Sequence, residues 1–132
     1  MQYVDSSAWA KLYVREPTSE RARAILGADS VWVTAAHTQV EVRRVIGMRL
    51  RGRTRAEAQR EFLDDWSRVD VVALDRATCG LAAEIAETSS LRTLDAMHLA
   101  AAQRAEIDGP FVTFDVRQAE AARRLGFTVV GA

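Results

Sequence analysis

The stretch Leu91-Arg92-Thr93-Leu94-Asp95-Ala96-Met97-His98-Leu99-Ala100-Ala101-Ala102 constrains this chain more than any other. It reads as a helix that is apolar on nearly every side, and in a water-soluble protein such a helix runs through the core. Asp95 nonetheless stands in its first turn, on the stripe that continues through Leu99 and Ala102. A carboxylate in that place must be protonated, hydrogen-bonded or in contact with a cation. Any fold that buries this helix has to find Asp95 a partner.

Around the helix, short apolar runs alternate with helical patterns. Gln2–Val4, Val31–Val33, Val69–Leu74, Phe111–Phe114 and Phe127–Val130 read as strands. Helices are expected after Asp5-Ser6-Ser7 as far as Pro17, with Trp9, Leu12 and Tyr13 on one face. More follow over Ser19–Leu26 and over Ala35–Leu50 with Gly52 as its stop, then over Arg55–Arg68 with Phe62, Leu63 and Trp66 inward. The last three are Asp75–Glu87, Thr93–Ala105 and Asp115–Leu125. Alternation of this kind is the signature of an α/β fold on a parallel, doubly wound sheet. With 132 residues, no repeat and no linker, the chain is expected to form one domain over 1–132.

Charge and cysteine usage narrow the class. Eighteen basic and eighteen acidic side chains cancel, so a uniformly basic nucleic-acid coat is absent and any electrostatic footprint must be local. The lone Cys79 supports neither a disulfide framework nor a thiolate metal site, which suits a reducing, cytoplasmic compartment. No apolar run approaches the roughly 18 residues of a membrane span, and the first residues lack the pattern of a signal peptide. Lys11 is the only lysine, so the positive groups are almost all guanidiniums, which suit bidentate phosphate contacts. They crowd at Arg43, Arg44, Arg49, Arg51, Arg53, Arg55 and Arg60, where a solvated helical face and a phosphate-binding patch are both open readings.

Ligands of open parallel sheets bind beyond the carboxyl ends of the strands. Asp5, Asp75 and Asp115 each follow a strand, and each also has the spacing of a helix cap; Asp115 with Gln118 matches a capping box. Glu41 shares a stripe with Val45 and Met48, which places it on an expected buried face, where a salt bridge to an arginine is the ordinary explanation. Taken together, Asp5, Glu41, Asp95 and Asp115 would converge on one rim and repel one another unless cations intervene. Oxygen donors without a Cys or His cluster select hard ions such as Mg²⁺ or Mn²⁺. Such ions activate water and stabilise the leaving oxygen of a phosphodiester. His37 and His98, the only histidines, read as core or groove-lining side chains, and no phosphate loop or nucleophile elbow is present.

Four segments carry a family resemblance: Tyr3-Val4-Asp5-Ser6-Ser7-Ala8, Val40-Glu41-Val42-Arg43-Arg44, Leu94 to Ala102, and Phe111-Val112-Thr113-Phe114-Asp115 followed by Ala121 to Gly126. In this order and spacing the chain resembles a PIN-domain ribonuclease of the VapC type, the toxin of a type II toxin–antitoxin pair. The resemblance implies a three-layer α/β fold with a short, mostly parallel five-stranded sheet. It implies an RNA-cleaving hydrolase whose acidic residues are Asp5, Glu41, Asp95 and Asp115. Asp5, Asp95 and Asp115 are the expected Mg²⁺ (or Mn²⁺) ligands, Glu41 acts on the attacking water, and the hydroxyls of Thr113 and Ser7 support the carboxylates. It also implies a homodimer and a VapB-type antitoxin whose C-terminal segment crosses the groove. Asp75 matches no catalytic position. Two other classes fit less well. A phospho-accepting signalling domain needs a paired acidic start and a late lysine, and a non-catalytic RNA- or partner-binding module has no use for four repelling carboxylates.

Overall fold

The computed structural model describes all residues, 1–132. Strand β1 (Gln2–Val4) leads into the short helix α1 (Ser6–Trp9), which tightens into a 3₁₀ turn at Ala10–Leu12. Helix α2 (Ser19–Gly27), strand β2 (Trp32–Ala35), helices α3 (Thr38–Arg49) and α4 (Gly52–Trp66) and strand β3 (Asp70–Val72) follow. The chain continues through α5 (Arg76–Glu87), α6 (Thr93–Arg104), β4 (Phe111–Thr113), α7 (Val116–Arg124) and β5 (Val129–Gly131). The sheet order is β3-β2-β1-β4-β5 and every neighbouring pair is parallel. No helix is long and apolar enough to cross a membrane.

Strand alternation builds the three layers. Tyr3, Val33, Ala35 and Phe111 join the apolar face of α5, α6 and α7, while Val4 and Val112 point the other way, into a cluster with Trp9, Leu26, Val42, Ile46 and Phe62 from α1 to α4. Helix α6 buries Ala96, His98, Leu99, Ala100, Ala101 and Ala102. Its run of alanines lets it lie close against α5 and β2.

Four local expectations need correction. Gly52 does not stop α3; it is the first residue of α4, with φ +56, and supplies the left-handed step between two helices that only Leu50 and Arg51 otherwise separate. Ala35 belongs to β2, since the strand pairing through Ala35↔Val72 outcompetes the helical pattern there. The buried stripe of α3 is Thr38, Val42 and Ile46, so Met48 is exposed and Glu41 lies half-buried beside the stripe rather than on it. Leu63 of α4 likewise faces solvent. In each helix the apolar pattern was wide enough to fit two rotations, and packing against the sheet chose the other one.

Candidate active site

The order β2-β1-β4 makes the β1/β4 border the place where successive connections leave in opposite directions, and crevices of open α/β sheets form there. The register Tyr3↔Phe111 and Val4↔Val112 brings the ends of β1 and β4 level, so Asp5 and Asp115 emerge on one rim. Both also cap helices. Asp5 Oδ1 accepts from the Ala8 amide at 3.1 Å and Asp115 Oδ1 from the Gln118 amide at 3.1 Å. Capping and a role in the rim are therefore compatible, because each cap uses one carboxylate oxygen. Asp75 caps α5 in the same way, accepting from the Thr78 amide and hydroxyl, and lines no part of the rim.

Asp5 is 3% exposed and held by hydroxyls. Ser7 Oγ donates to its Oδ1 at 2.7 Å and Thr113 Oγ1 to its Oδ2 at 2.5 Å. The hydroxyls are fixed in turn, since the Phe114 amide donates to Ser7 and the Asp115 amide to Thr113. Burial raises the Asp5 carboxyl above its ordinary value, and the charge of His98 with the three donors only partly offsets that. A site that makes a buried carboxylate costly and still aims it at a cleft favours a cation there.

Asp95, with its side chain 14% exposed, sits at the first turn of α6 and accepts from Arg92 Nε at 3.1 Å. The same guanidinium lies 3.8 Å from Asp115 Oδ2. Gln118 departs from the capping-box expectation: its side chain does not reach back to the Asp115 amide but donates to the Asp95 carbonyl at 3.2 Å. One buried glutamine thus ties the start of α7 to the start of α6, and with it Asp115 to Asp95.

Glu41 meets both histidines. Its Oε1 lies 2.7 Å from His98 Nε2 and 3.5 Å from His37 Nε2. His98 Nδ1 is 2.7 Å from the hydroxyl of Tyr3, and His37 Nε2 is 3.1 Å from the Leu94 carbonyl. Burial opposes ionisation of Glu41, but the hydrogen bond from His98, with the field of the imidazoles around it, outweighs that and holds the carboxyl below its ordinary value. Burial, then the charge of His98, pushes His37 down to about 4, so at neutral pH it is uncharged and donates to Leu94. Burial and the nearby Asp5 charge drive the Tyr3 hydroxyl well above its usual range, so it keeps its proton.

All four carboxylates line one cleft of about 440 Å³, together with Ser6, Ser7, Lys11, Arg49, Arg92 and His98. A neighbouring lobe continues past Glu41 and Asp95 to Arg44 and Leu94. The structure brings the quartet to the lining of one cleft, where Arg92 is the counter-ion shared by Asp95 and Asp115. The one trio whose ligand atoms all lie within 4.8 Å of one another is His37, Glu41 and His98, compact enough to hold a metal ion. His98 and His37 there already spend their Nε2 atoms on Glu41 and the Leu94 carbonyl. The oxygen-rich wall of Asp5, Asp95 and Asp115 is the better match to a hard divalent ion. From the sequence His98 stands one helical turn beyond Asp95, within reach of the site, and Gln118 has cap spacing to Asp115; the role of Tyr3, the contact of His98 with Glu41 and the tie from Gln118 to Asp95 carry no signal there.

The family model described as PIN domain matches residues 2–124. Ribonuclease VapC46 of Mycobacterium tuberculosis (strain ATCC 25618 / H37Rv) is 38% identical over 129 residues, spanning 97% of this chain and 95% of the relative. Among solved structures, VapC20 of Mycobacterium tuberculosis, described as a Sarcin-Ricin loop cleaving toxin, superposes with a TM-score of 0.77 at 20% identity and covers 100% of both chains. A chain of a toxin–antitoxin complex from Klebsiella pneumoniae superposes with a TM-score of 0.72 at 14% identity, over 89% of each chain.

Proposed function

The chain belongs to the PIN-domain family, among its VapC ribonucleases, and on that premise we infer that it is a metal-dependent endoribonuclease acting as the toxin of a type II toxin–antitoxin pair. The observation that carries this reading is the convergence of Asp5, Glu41, Asp95 and Asp115 on one cleft at the β1/β4 border.

Asp5, Asp95 and Asp115 would hold Mg²⁺ or Mn²⁺, for which their oxygen donors fit. When bound, such an ion supplies Lewis acidity that lowers the pKa of water and offsets charge on the leaving oxygen. The chain's own groups do the rest. Ser7 and Thr113 fix both oxygens of Asp5, Gln118 keeps α6 and α7 in step, and Glu41, one oxygen on His98, offers the other to the attacking water. Cleavage by water does not use the RNA 2′-hydroxyl as nucleophile, so preference for RNA comes from shape and contacts along the groove. A homodimer, a cytoplasmic location and a VapB-type antitoxin segment across the cleft complete the reading. The Klebsiella pneumoniae neighbour, itself part of a toxin–antitoxin complex, supports the last of these.

Incubation of the purified protein with RNA, with and without EDTA, tests the function. Cleavage that EDTA stops and added Mg²⁺ or Mn²⁺ restores is expected, and Asp95→Asn should abolish it in a folded protein. Binding of RNA without cleavage at any metal concentration would instead favour a non-catalytic binding module.

The arginines on the rim give a second prediction. Arg44 and Arg49 are exposed and line the two lobes of the cleft, as backbone-binding side chains would. The double variant Arg44→Ala/Arg49→Ala is expected to raise KM with little change in kcat. It should also flatten the log–log salt dependence of RNA binding by about 0.7 for each phosphate that is no longer neutralised. An unchanged salt slope would assign these arginines to a solvated helical face.

A further inference from the structure

We propose that His98 is a positioning residue for RNA cleavage: clamped between the buried Tyr3 hydroxyl and Glu41, it sets the orientation from which Glu41 addresses the attacking water. This rests on the role given to Glu41 above.

A histidine that merely fills the core satisfies its nitrogens with whatever backbone carbonyls lie near. His98 instead spends both nitrogens on side chains from distant parts of the chain, Tyr3 on β1 and Glu41 on α3, each at 2.7 Å. It is 1% exposed, so water does not compete for either bond. The Glu41 carboxylate only accepts, so Nε2 carries the proton in this bond and donates to Oε1, while Nδ1 pairs with the Tyr3 hydroxyl; every polar atom in the chain of bonds has a partner.

The far end of that chain is rigid. Tyr3 is fully buried in β1 and stacks on Phe111 of β4, with ring centroids 4.9 Å apart and planes 11° from parallel. The imidazole is also held sideways, since His37 packs against it at 4.1 Å between centroids and is itself tied to the Leu94 carbonyl. Glu41, by contrast, is half-buried at the mouth of the cleft on a side chain with three rotatable bonds. The bond from His98 transmits the rigidity of the β1/β4 border to that carboxylate. Outer partners of this kind fix ring orientation and the basicity of the group they hold.

The experiment measures kcat and KM on a defined RNA at saturating Mg²⁺ for His98→Leu, His98→Gln, Tyr3→Phe and Glu41→Gln, and for His98→Leu in the Glu41→Gln background. His98→Leu is expected to lower kcat by about 10–100-fold, the usual cost of losing an outer partner, with KM unchanged. His98→Gln, whose side-chain amide can replace the Nε2–H donor, should restore most of that loss. Tyr3→Phe keeps the stacked ring and should lower kcat alone, by less, and it carries the test should His98→Leu fail to fold. In the Glu41→Gln background His98→Leu should add no further loss. Parental kcat in both His98→Leu and Tyr3→Phe, or an equal loss with and without Glu41, overturns the proposal. Parental kcat in Glu41→Gln itself overturns the role of Glu41, a separate result read from the single variant.

Discussion

Asp5→Asn is expected to cut RNA cleavage by more than about 100-fold, beyond the usual cost of losing an outer partner, while the variant melts no lower than the parent. The two effects share one cause. Asp5 is almost fully buried and its carboxyl is raised by that burial, so the ionised form is costly in the fold and is kept for what it can bind. Asparagine keeps an oxygen for the Ser7 hydroxyl and the Ala8 amide, and the Thr113 hydroxyl can turn to accept from its amide. The sign with pH follows from linkage. A carboxyl whose folded pKa lies above its unfolded value destabilises the fold wherever it is ionised in both states, and the penalty fades as pH falls through the folded value. The melting temperature of Asp5→Asn should therefore exceed that of the parent at neutral pH in EDTA, and the two should converge on acidification. A variant that melts several degrees below the parent at pH 7 would mean that the carboxylate is a structural anchor.

How much of this site could be read beforehand depended on the range of the interaction. The strands were legible because Tyr3-Val4 and Phe111-Val112 alternate between two faces that both had to be buried, and the α/β class follows from their spacing. Asp5 and Asp115 are legible as strand-end carboxylates, yet capping and function look like alternatives there, since a sequence does not show that a carboxylate can cap a helix and still line a cleft. Glu41 was found for a reason that needs amending: Met48, its supposed neighbour on a buried stripe, is exposed, and the residue that holds Glu41 is His98, 57 positions away. The Tyr3–His98–Glu41 chain and the tie from Gln118 to Asp95 join side chains that no periodicity relates. Asp75 marks the limit from the other side, for its cap resembles those of Asp5 and Asp115, and the family resemblance and the sheet order, not the local pattern, separate it from them.

The largest stability effect is expected at Trp9, and it reaches the site through α1. The indole is fully buried against Trp32, Phe62 and Trp66, with ring centroids 5.2–5.7 Å away, and its Nε1–H donates to the Tyr13 hydroxyl at 2.8 Å, which bonds Asp65 on α4 in turn. Trp9 and Phe62 belong to the core of one face of the sheet, and Tyr13, Trp32 and Trp66 pack against it. Trp9→Ala removes the largest fully buried side chain of that face and leaves Tyr13 without its donor. A loss of about 3–5 kcal/mol follows, which for a chain of this size is a fall of about 10–20 °C in melting temperature. Because α1 is only four residues long and begins at the residue after Asp5, it has too few backbone bonds to hold its place alone. The indole pins it to the sheet, and with it Ser7 against Asp5. Cleavage by Trp9→Ala at 25 °C should accordingly fall by more than its unfolded fraction accounts for, whereas Trp9→Phe should recover most of the activity and only part of the stability. Thermal melts and rates measured on the same samples decide it: a melting temperature within about 5 °C of the parent, against the fall expected for a cavity of this size, or activity that simply tracks the folded fraction, would uncouple this core from the site.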